Sequence, residues 1–228
     1  MARLTWHGHA CFTIVADDGT RLMIDPWLDE NPVADIRSDQ VGELDFLLVT
    51  HGHSDHFADA EKIARRTGAT VIATFEIVSF LQSKGIEKVH ALHIGGGHRF
   101  PFGVVKLTPA FHGGQVHGDE EGAYTTAAAG VWLDLGGKRV YHAGDTGLTV
   151  EMQLLRGRVD VALLPIGDNY TMGPEDAVRA VEFIEPRVVV PMHYNTFPVI
   201  EQDPAAFARA VGGRARVEIL KPGESLEF

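Results

Sequence analysis

The chain has a single cysteine, Cys11, among 228 residues. No intrachain disulfide can form, so the sequence reads as intracellular. Long apolar runs are missing too. No stretch approaches the ~18–20 residues of a membrane-spanning helix, and no basic segment precedes an apolar run at the N-terminus. The expectation is a soluble, cytoplasmic protein with no membrane partner. Positive charge is also scarce: 20 Lys and Arg stand against 31 Asp and Glu, a formal net charge of −11. That argues against a nucleic-acid partner, which usually needs a basic patch. It does not exclude phosphate substrates, because bound divalent ions can reverse the local field. A phosphate loop is absent as well. Gly95-Gly96-Gly97 lacks the Gly-x-x-x-x-Gly-Lys pattern and reads as a plain turn, with His98 an exposed loop residue after it.

What the chain has in quantity is histidine, 12 in all. Four ligand-type residues, His51, His53, Asp55 and His56, directly follow the apolar run Phe46-Leu47-Leu48-Val49. That run is short enough for a buried strand and leaves no room for a helix. His51 and His53 alternate, so on an extended segment both imidazoles point the same way. Asp55 and His56 require a sharp turn, after which adjacent side chains can diverge toward two ions. Imidazole suits zinc, iron, nickel and copper, and a carboxylate adds a hard ligand.

The remaining chain alternates strands and helices. Strands are expected at 4–6, 11–15, 21–25, 70–73, 88–93, 104–110, 127–135, 138–142, 159–165, 187–191 and 216–220. Helices are expected at 59–67, 75–84, from 174 to just before Pro186, and at 204–211. Residues 26–43 read as a long loop in which Trp27 and Leu28 could pack or wall a pocket. This rhythm favours an α/β arrangement. Hydrophobic content of 45% and charged content of 22% are ordinary for a globular chain. No long linker appears, so residues 1–228 are read as one domain of two similar halves, with the site where their strand ends meet.

Three more ligand-type residues sit at strand ends: His112, Asp145 and His193. With the central motif they make five His and two carboxylates, enough for two ions that each keep an open position. Such a pair, ~3.5–4 Å apart, lowers the pKa of a shared water and polarises a substrate oxygen. No serine or cysteine nucleophile is then needed, and Cys11 is read as a packing residue. His9, Asn169, Tyr170 and Asn195 lie on loops expected at the same edge and are candidates for lining a substrate pocket. His9 could equally support a ligand carboxylate from behind.

The set Thr50–His56, His112, Gly144-Asp145-Thr146 and His193 resembles the metallo-β-lactamase superfamily in order and spacing. The resemblance implies an αββα sandwich, a four-layer α+β fold, with a dinuclear site at one edge. It implies that His51, His53 and His112 hold one metal, that Asp55, His56 and His193 hold the other, and that Asp145 bridges. Longer stretches narrow the likeness. Trp6-His7-Gly8-His9, Tyr141-His142-Ala143-Gly144-Asp145-Thr146, the run 165–176 and the run 191–198 are similar to bacterial and archaeal proteins known only as metal-dependent hydrolases, a family near the ascorbate-6-phosphate lactonases. The third motif reads Phe-His-Gly, which departs from the Gly-His-Thr of glyoxalase II-like members.

The expected activity is that of a dinuclear hydrolase. A metal-bound hydroxide, oriented by Asp55, attacks a small ester, lactone or phosphodiester. The expected cofactors are two divalent ions, zinc first, with manganese, nickel or iron as alternatives. A thioester hydrolase, a di-iron redox protein and a non-enzymatic metal sensor are the competing readings. The expected partner is a small-molecule substrate. Oligomeric state, including a homo-oligomer, is left open.

Overall fold

The computed structural model describes residues 1–228. Its first sheet is built from β1 (Arg3–Trp6), β2 (Phe12–Val15), β3 (Arg21–Ile24), β4 (Phe46–Leu48), β5 (Thr70–Thr74) and β6 (Val89–Leu92). The second holds β7 (Gly97–Phe100), β8 (Gly103–Pro109), β9 (Ala129–Leu135), β10 (Lys138–His142), β11 (Val161–Pro165), β12 (Val188–Met192) and β13 (Arg216–Val217). The last strand, β14 (Ser225–Glu227), returns to the first sheet beside β1. The strand orders are β14-β1-β2-β3-β4-β5-β6 and β13-β12-β11-β10-β9-β8-β7. Each sheet is mixed: β3 to β6 run parallel, as do β10 to β13, and the other neighbours are antiparallel.

The period of two explains the layering. Leu22, Ile24, Leu48 and Ile72 point one way, into the larger core shared with the second sheet. Met23, Leu47, Val49 and Val71 point the other way, into a separate core. That second core is closed by α1 (Ser54–Phe57), α2 (Ala60–Thr67) and α3 (Phe75–Ser83), through Phe57, Ile63 and Ile77. On the far side of the second sheet, α4 (Pro174–Ile184) and α5 (Pro204–Val211) bury Ala177, Val181, Phe207 and Val211. Two seven-stranded sheets flanked by helices are therefore the observed architecture, as the expected αββα sandwich requires.

The helix termini follow capping chemistry. Pro204 opens α5, and the Asp203 side chain accepts from the Ala205 amide at 2.9 Å. The amides of Ala206 and Ala205, with Arg209, hold this exposed carboxyl below the usual carboxylate range. A carboxyl held low in the folded state adds stability above its unfolded pKa, and that stability is lost as pH falls through the folded value. Asp203→Ala should lower the urea midpoint at about pH 7, and the difference should close at about pH 2. Equal midpoints at neutral pH would show that the cap contributes nothing.

Two local expectations are corrected. Gly97, read as turn, and His98, read as loop, belong to edge strand β7, where Gly97 faces Lys106 and His98, exposed as expected, faces Val105 of β8. The final strand ends at Val217 rather than residue 220, and β14 follows it.

Candidate metal centre

The parallel strands deliver their C-terminal loops to one edge of the two sheets. After β4 the chain runs Val49-Thr50-His51-Gly52-His53 and then enters α1, so the sharp turn is a helix start. Gly52 is required there: a Cβ would lie 2.6 Å from the Val116 backbone. His53 sits at the helix N-cap and Asp55 in the first turn, while His56 is turned inward and fully buried. His112 follows β8, Asp145 follows β10 and His193 follows β12. Gly144 takes φ +63°, and a Cβ on it would meet Ala129 O at 2.6 Å, so only glycine delivers Asp145 on this path.

The side chains converge as two groups. His51 Nε2 and His112 Nε2 lie 3.1 and 3.2 Å from His53 Nδ1. Asp55, His56 and His193, with His9, form the second group. Asp145 lies between them. Its carboxylate oxygens are 3.1 Å from His56 Nε2, 3.0 Å from His193 Nε2, 3.6 Å from His112 Nε2 and 4.0 Å from His51 Nε2. For metal–nitrogen bonds of ~2.0–2.1 Å, the edge of a coordination tetrahedron is about 3.3–3.4 Å. Four of the donor separations, at 3.0–3.2 Å, lie just under that edge, while His112 and His51 stand farther from Asp145, and His193 Nε2 is 3.9 Å from Asp55 Oδ2.

Hydrogen bonding within the chain leaves some of these donors unanswered. His56 Nε2, Asp145 Oδ1, His193 Nδ1 and His193 Nε2 are buried without a hydrogen-bond partner. His56 Nε2 and Asp145 Oδ1 are near neighbours, yet their orientation makes no hydrogen bond. Orphaned buried polar atoms are costly, and a shared cation between lone pairs removes that cost. The residues present therefore fit a metal site.

The protonation states suit the same role. Burial, then the charge of neighbouring His56, drives His51 well below the usual imidazole value, and burial lowers His53 and His112 as well. Neutral imidazoles are the form that ligates. Burial would raise Asp145, but His193 and His56 outweigh it and hold the carboxyl well below its usual range. Burial likewise opposes ionisation of Asp55, and the hydrogen bond from His9 prevails. Burial disfavours charge on His56, but Asp145 and Asp25 on either side overcome it and raise its pKa. A cation at that nitrogen is what this field favours.

Residues behind these side chains fix their tautomers. Asp25 is fully buried with φ +51° and accepts from Thr50 N at 2.8 Å and Thr50 Oγ1 at 2.7 Å. It also accepts from His56 Nδ1 at 2.7 Å. Because the Thr50 hydroxyl donates to Asp25, it accepts from His51 Nδ1 at 3.0 Å. One carboxylate thus frees Nε2 of His51 in one group and of His56 in the other. His142 donates Nε2–H to Ala10 O at 2.9 Å and accepts the Gly144 amide at Nδ1, which ties the Asp145 turn to the opposite sheet. Neither Asp25 nor His142 is a candidate on the sequence alone. The available signal for Asp25 was an acid directly after an apolar strand, the same pattern that marks Asp145.

The four residues named as pocket candidates fall in different places. His9 is fully buried, with Nε2 3.2 Å from Asp55 Oδ2 and Nδ1 2.6 Å from Thr196 Oγ1. Burial and the neighbouring His193 push its pKa down to about 3, so it is neutral. A carboxylate only accepts, so Nε2 donates to Asp55 and Nδ1 accepts from Thr196. His9 therefore stands behind Asp55 in the structure. Asn169 and Tyr170 are exposed on the loop after β11, and Asn195 is exposed after β12, where its Oδ1 accepts the Gln202 amide at 2.7 Å. Positive φ at His9, Asp25, Asp168, Asn169, His193 and Asn195 places much of the chain's backbone strain on these loops. A cavity of about 190 Å³ lies apart from them, lined by Trp132, Tyr141 and Met152, and contains none of the clustered donors.

No helix is long and apolar enough to cross a membrane. The family model described as a Beta-lactamase superfamily domain matches residues 3–193. The chain is 51% identical over 238 residues to the UPF0173 metal-dependent hydrolase of Heliobacterium modesticaldum, covering 99% of this chain and 97% of that one. Among solved structures it is similar to the metallo hydrolase Igni18 of the archaeon Ignicoccus hospitalis KIN4/I. The identity there is 39% and the TM-score 0.89, over 100% of this chain and 99% of that one. The metallo-beta-lactamase fold protein YhfI of Bacillus subtilis shares the fold alone, with a TM-score of 0.75 at 12% identity and full coverage of both chains. The chain belongs to the metallo-β-lactamase superfamily and, within it, to the UPF0173 metal-dependent hydrolase family.

Proposed function

We propose that the chain is a hydrolase of small esters, lactones or phosphodiesters that works with two divalent ions, zinc first among them. His51, His53 and His112 would hold one ion, Asp55, His56 and His193 the other, and Asp145 would touch both. The observation that carries this reading is Asp145, buried between two groups of imidazoles with Oδ1 unpartnered. Bound ions would polarise a substrate oxygen and make water a nucleophile near neutral pH.

The chain supplies the rest. Asp55 keeps 21% of its side chain exposed and is ionised, so it can orient a water at the open side of the group. Neutral His9 fixes that carboxylate through Nε2. The buried Asp25 and Thr50 hold two imidazoles in the ligating tautomer. The naming of the close relatives as metal-dependent hydrolases supports the reaction class.

The test is hydrolysis of an ester, a lactone and a phosphodiester by protein as purified, after chelation, and after return of zinc, manganese, nickel or iron. Turnover of at least one substrate, lost on chelation and restored by metal, is the expected result. Activity that survives complete metal removal would refute the proposal.

A further inference from the structure

We propose that the non-reacting part of the substrate is uncharged and apolar; this rests on the hydrolase reading above. The walls beside the clustered donors carry the inference. Behind the site, buried Trp27 and half-buried Phe197 stack with ring centroids 5.6 Å apart, and both press edgewise on the buried His9, at 5.0 and 5.6 Å. Phe111, adjacent to His112, is 65% exposed, and Val199, six residues beyond His193, is 56% exposed. Large apolar side chains held in water around a site mark a surface that takes an apolar ligand.

The charge pattern points the same way. Segments 7–11, 49–53, 110–128, 143–149 and 193–203, which carry His9 and most of the clustered donors, and the loop 166–173 after β11 contain no Lys or Arg. In the long segment 25–45 the one basic residue near its middle, Arg37, lies 3.8 Å from Asp29. Lys62 on α2 is likewise committed to Asp29, at 2.6 Å. The acids Asp119, Glu120, Glu121 and Asp168 lie on the same segments. Carboxylate and phosphate groups are gripped by Arg forks or Lys ammonium groups. Here a second anionic group, remote from the reacting centre, would meet like charge. Substrates of this description are alkyl or aryl esters and lactones with a neutral body. Sugar phosphates, and nucleotides with a phosphate besides the reacting one, are disfavoured, since they carry a remote anion.

The test compares 4-nitrophenyl hexanoate with mono-4-nitrophenyl adipate on metal-loaded protein. The two share leaving group and approximate chain length and differ in a terminal carboxylate. The expected kcat/KM is about tenfold or more higher for hexanoate, a gap that added salt reduces. Phe111→Lys, at an exposed position, should narrow the gap through a lower KM for the adipate ester. Equal turnover of both esters, or preference for adipate, in each case lost on chelation, overturns the inference and leaves the hydrolase reading standing. Turnover of neither ester, lactone nor phosphodiester overturns the hydrolase reading and this inference with it.

Discussion

Asp145→Asn should leave the chain folded and abolish most of its activity, by more than the ~100-fold seen when groups behind metal ligands are removed. Asp145 is 2% exposed and sits within 4.0 Å of imidazole nitrogens from both groups. Asparagine keeps the shape and removes the charge. The imidazoles would then face an amide in place of a carboxylate, and shared binding of two ions would lose its central anion. The fold has little reason to respond, because asparagine fills the same volume at this buried position. Far-UV circular dichroism should be unchanged while metal content and kcat/KM fall together. Full activity with full metal content would remove Asp145 from the account.

The second large effect is expected at Asp25. This carboxylate accepts three hydrogen bonds in a fully buried position, from Thr50 N, Thr50 Oγ1 and His56 Nδ1. Asp25→Ala leaves those donors without an acceptor. Breaking a buried charged network costs about 3–5 kcal/mol, so a large fall in the urea midpoint is expected. Asp25→Asn separates structure from ligand control. It fills the same volume, but its amide NH₂ cannot accept from His56 or Thr50. Metal affinity or activity should fall about 10- to 100-fold, with a smaller loss of stability than in the alanine variant. If Asp25→Asn bound metal as tightly as the parent, the orienting role assigned to it would be wrong.

The contrast between these two acids shows what a sequence makes visible. Asp145 is flanked by Gly144 and Thr146 after a clear hairpin, so it stands out locally. Asp25 ends an equally apolar strand, yet its partners Thr50 and His56 lie 25 and 31 residues away. Its importance arises only when β3 and β4 pair in parallel and bring Ile24 beside Leu48. The same holds for His142, whose acceptor Ala10 belongs to the other half of the chain. Most strands were legible as short apolar runs, because the central strands are covered on both faces: every residue of β11 and β12 is buried. Strand β7 was hidden because its sequence, Gly97-His98-Arg99-Phe100, has no apolar alternation, and it exists through pairing with β8. Strand β14, Ser225-Leu226-Glu227, was hidden because a single apolar residue stands between two polar, exposed ones. The compact run from His51 to His56 needed no such context, since four ligand-type residues there follow one buried strand.

The central claim is that two ions are held together by His51, His53, Asp55, His56, His112, Asp145 and His193. The most direct measurement is metal per chain by inductively coupled plasma mass spectrometry, on protein purified without chelator and on Asp145→Asn. About two metal equivalents are expected for the parent and fewer than one for the variant. One equivalent or none in the parent, or an unchanged value in Asp145→Asn, would contradict that claim.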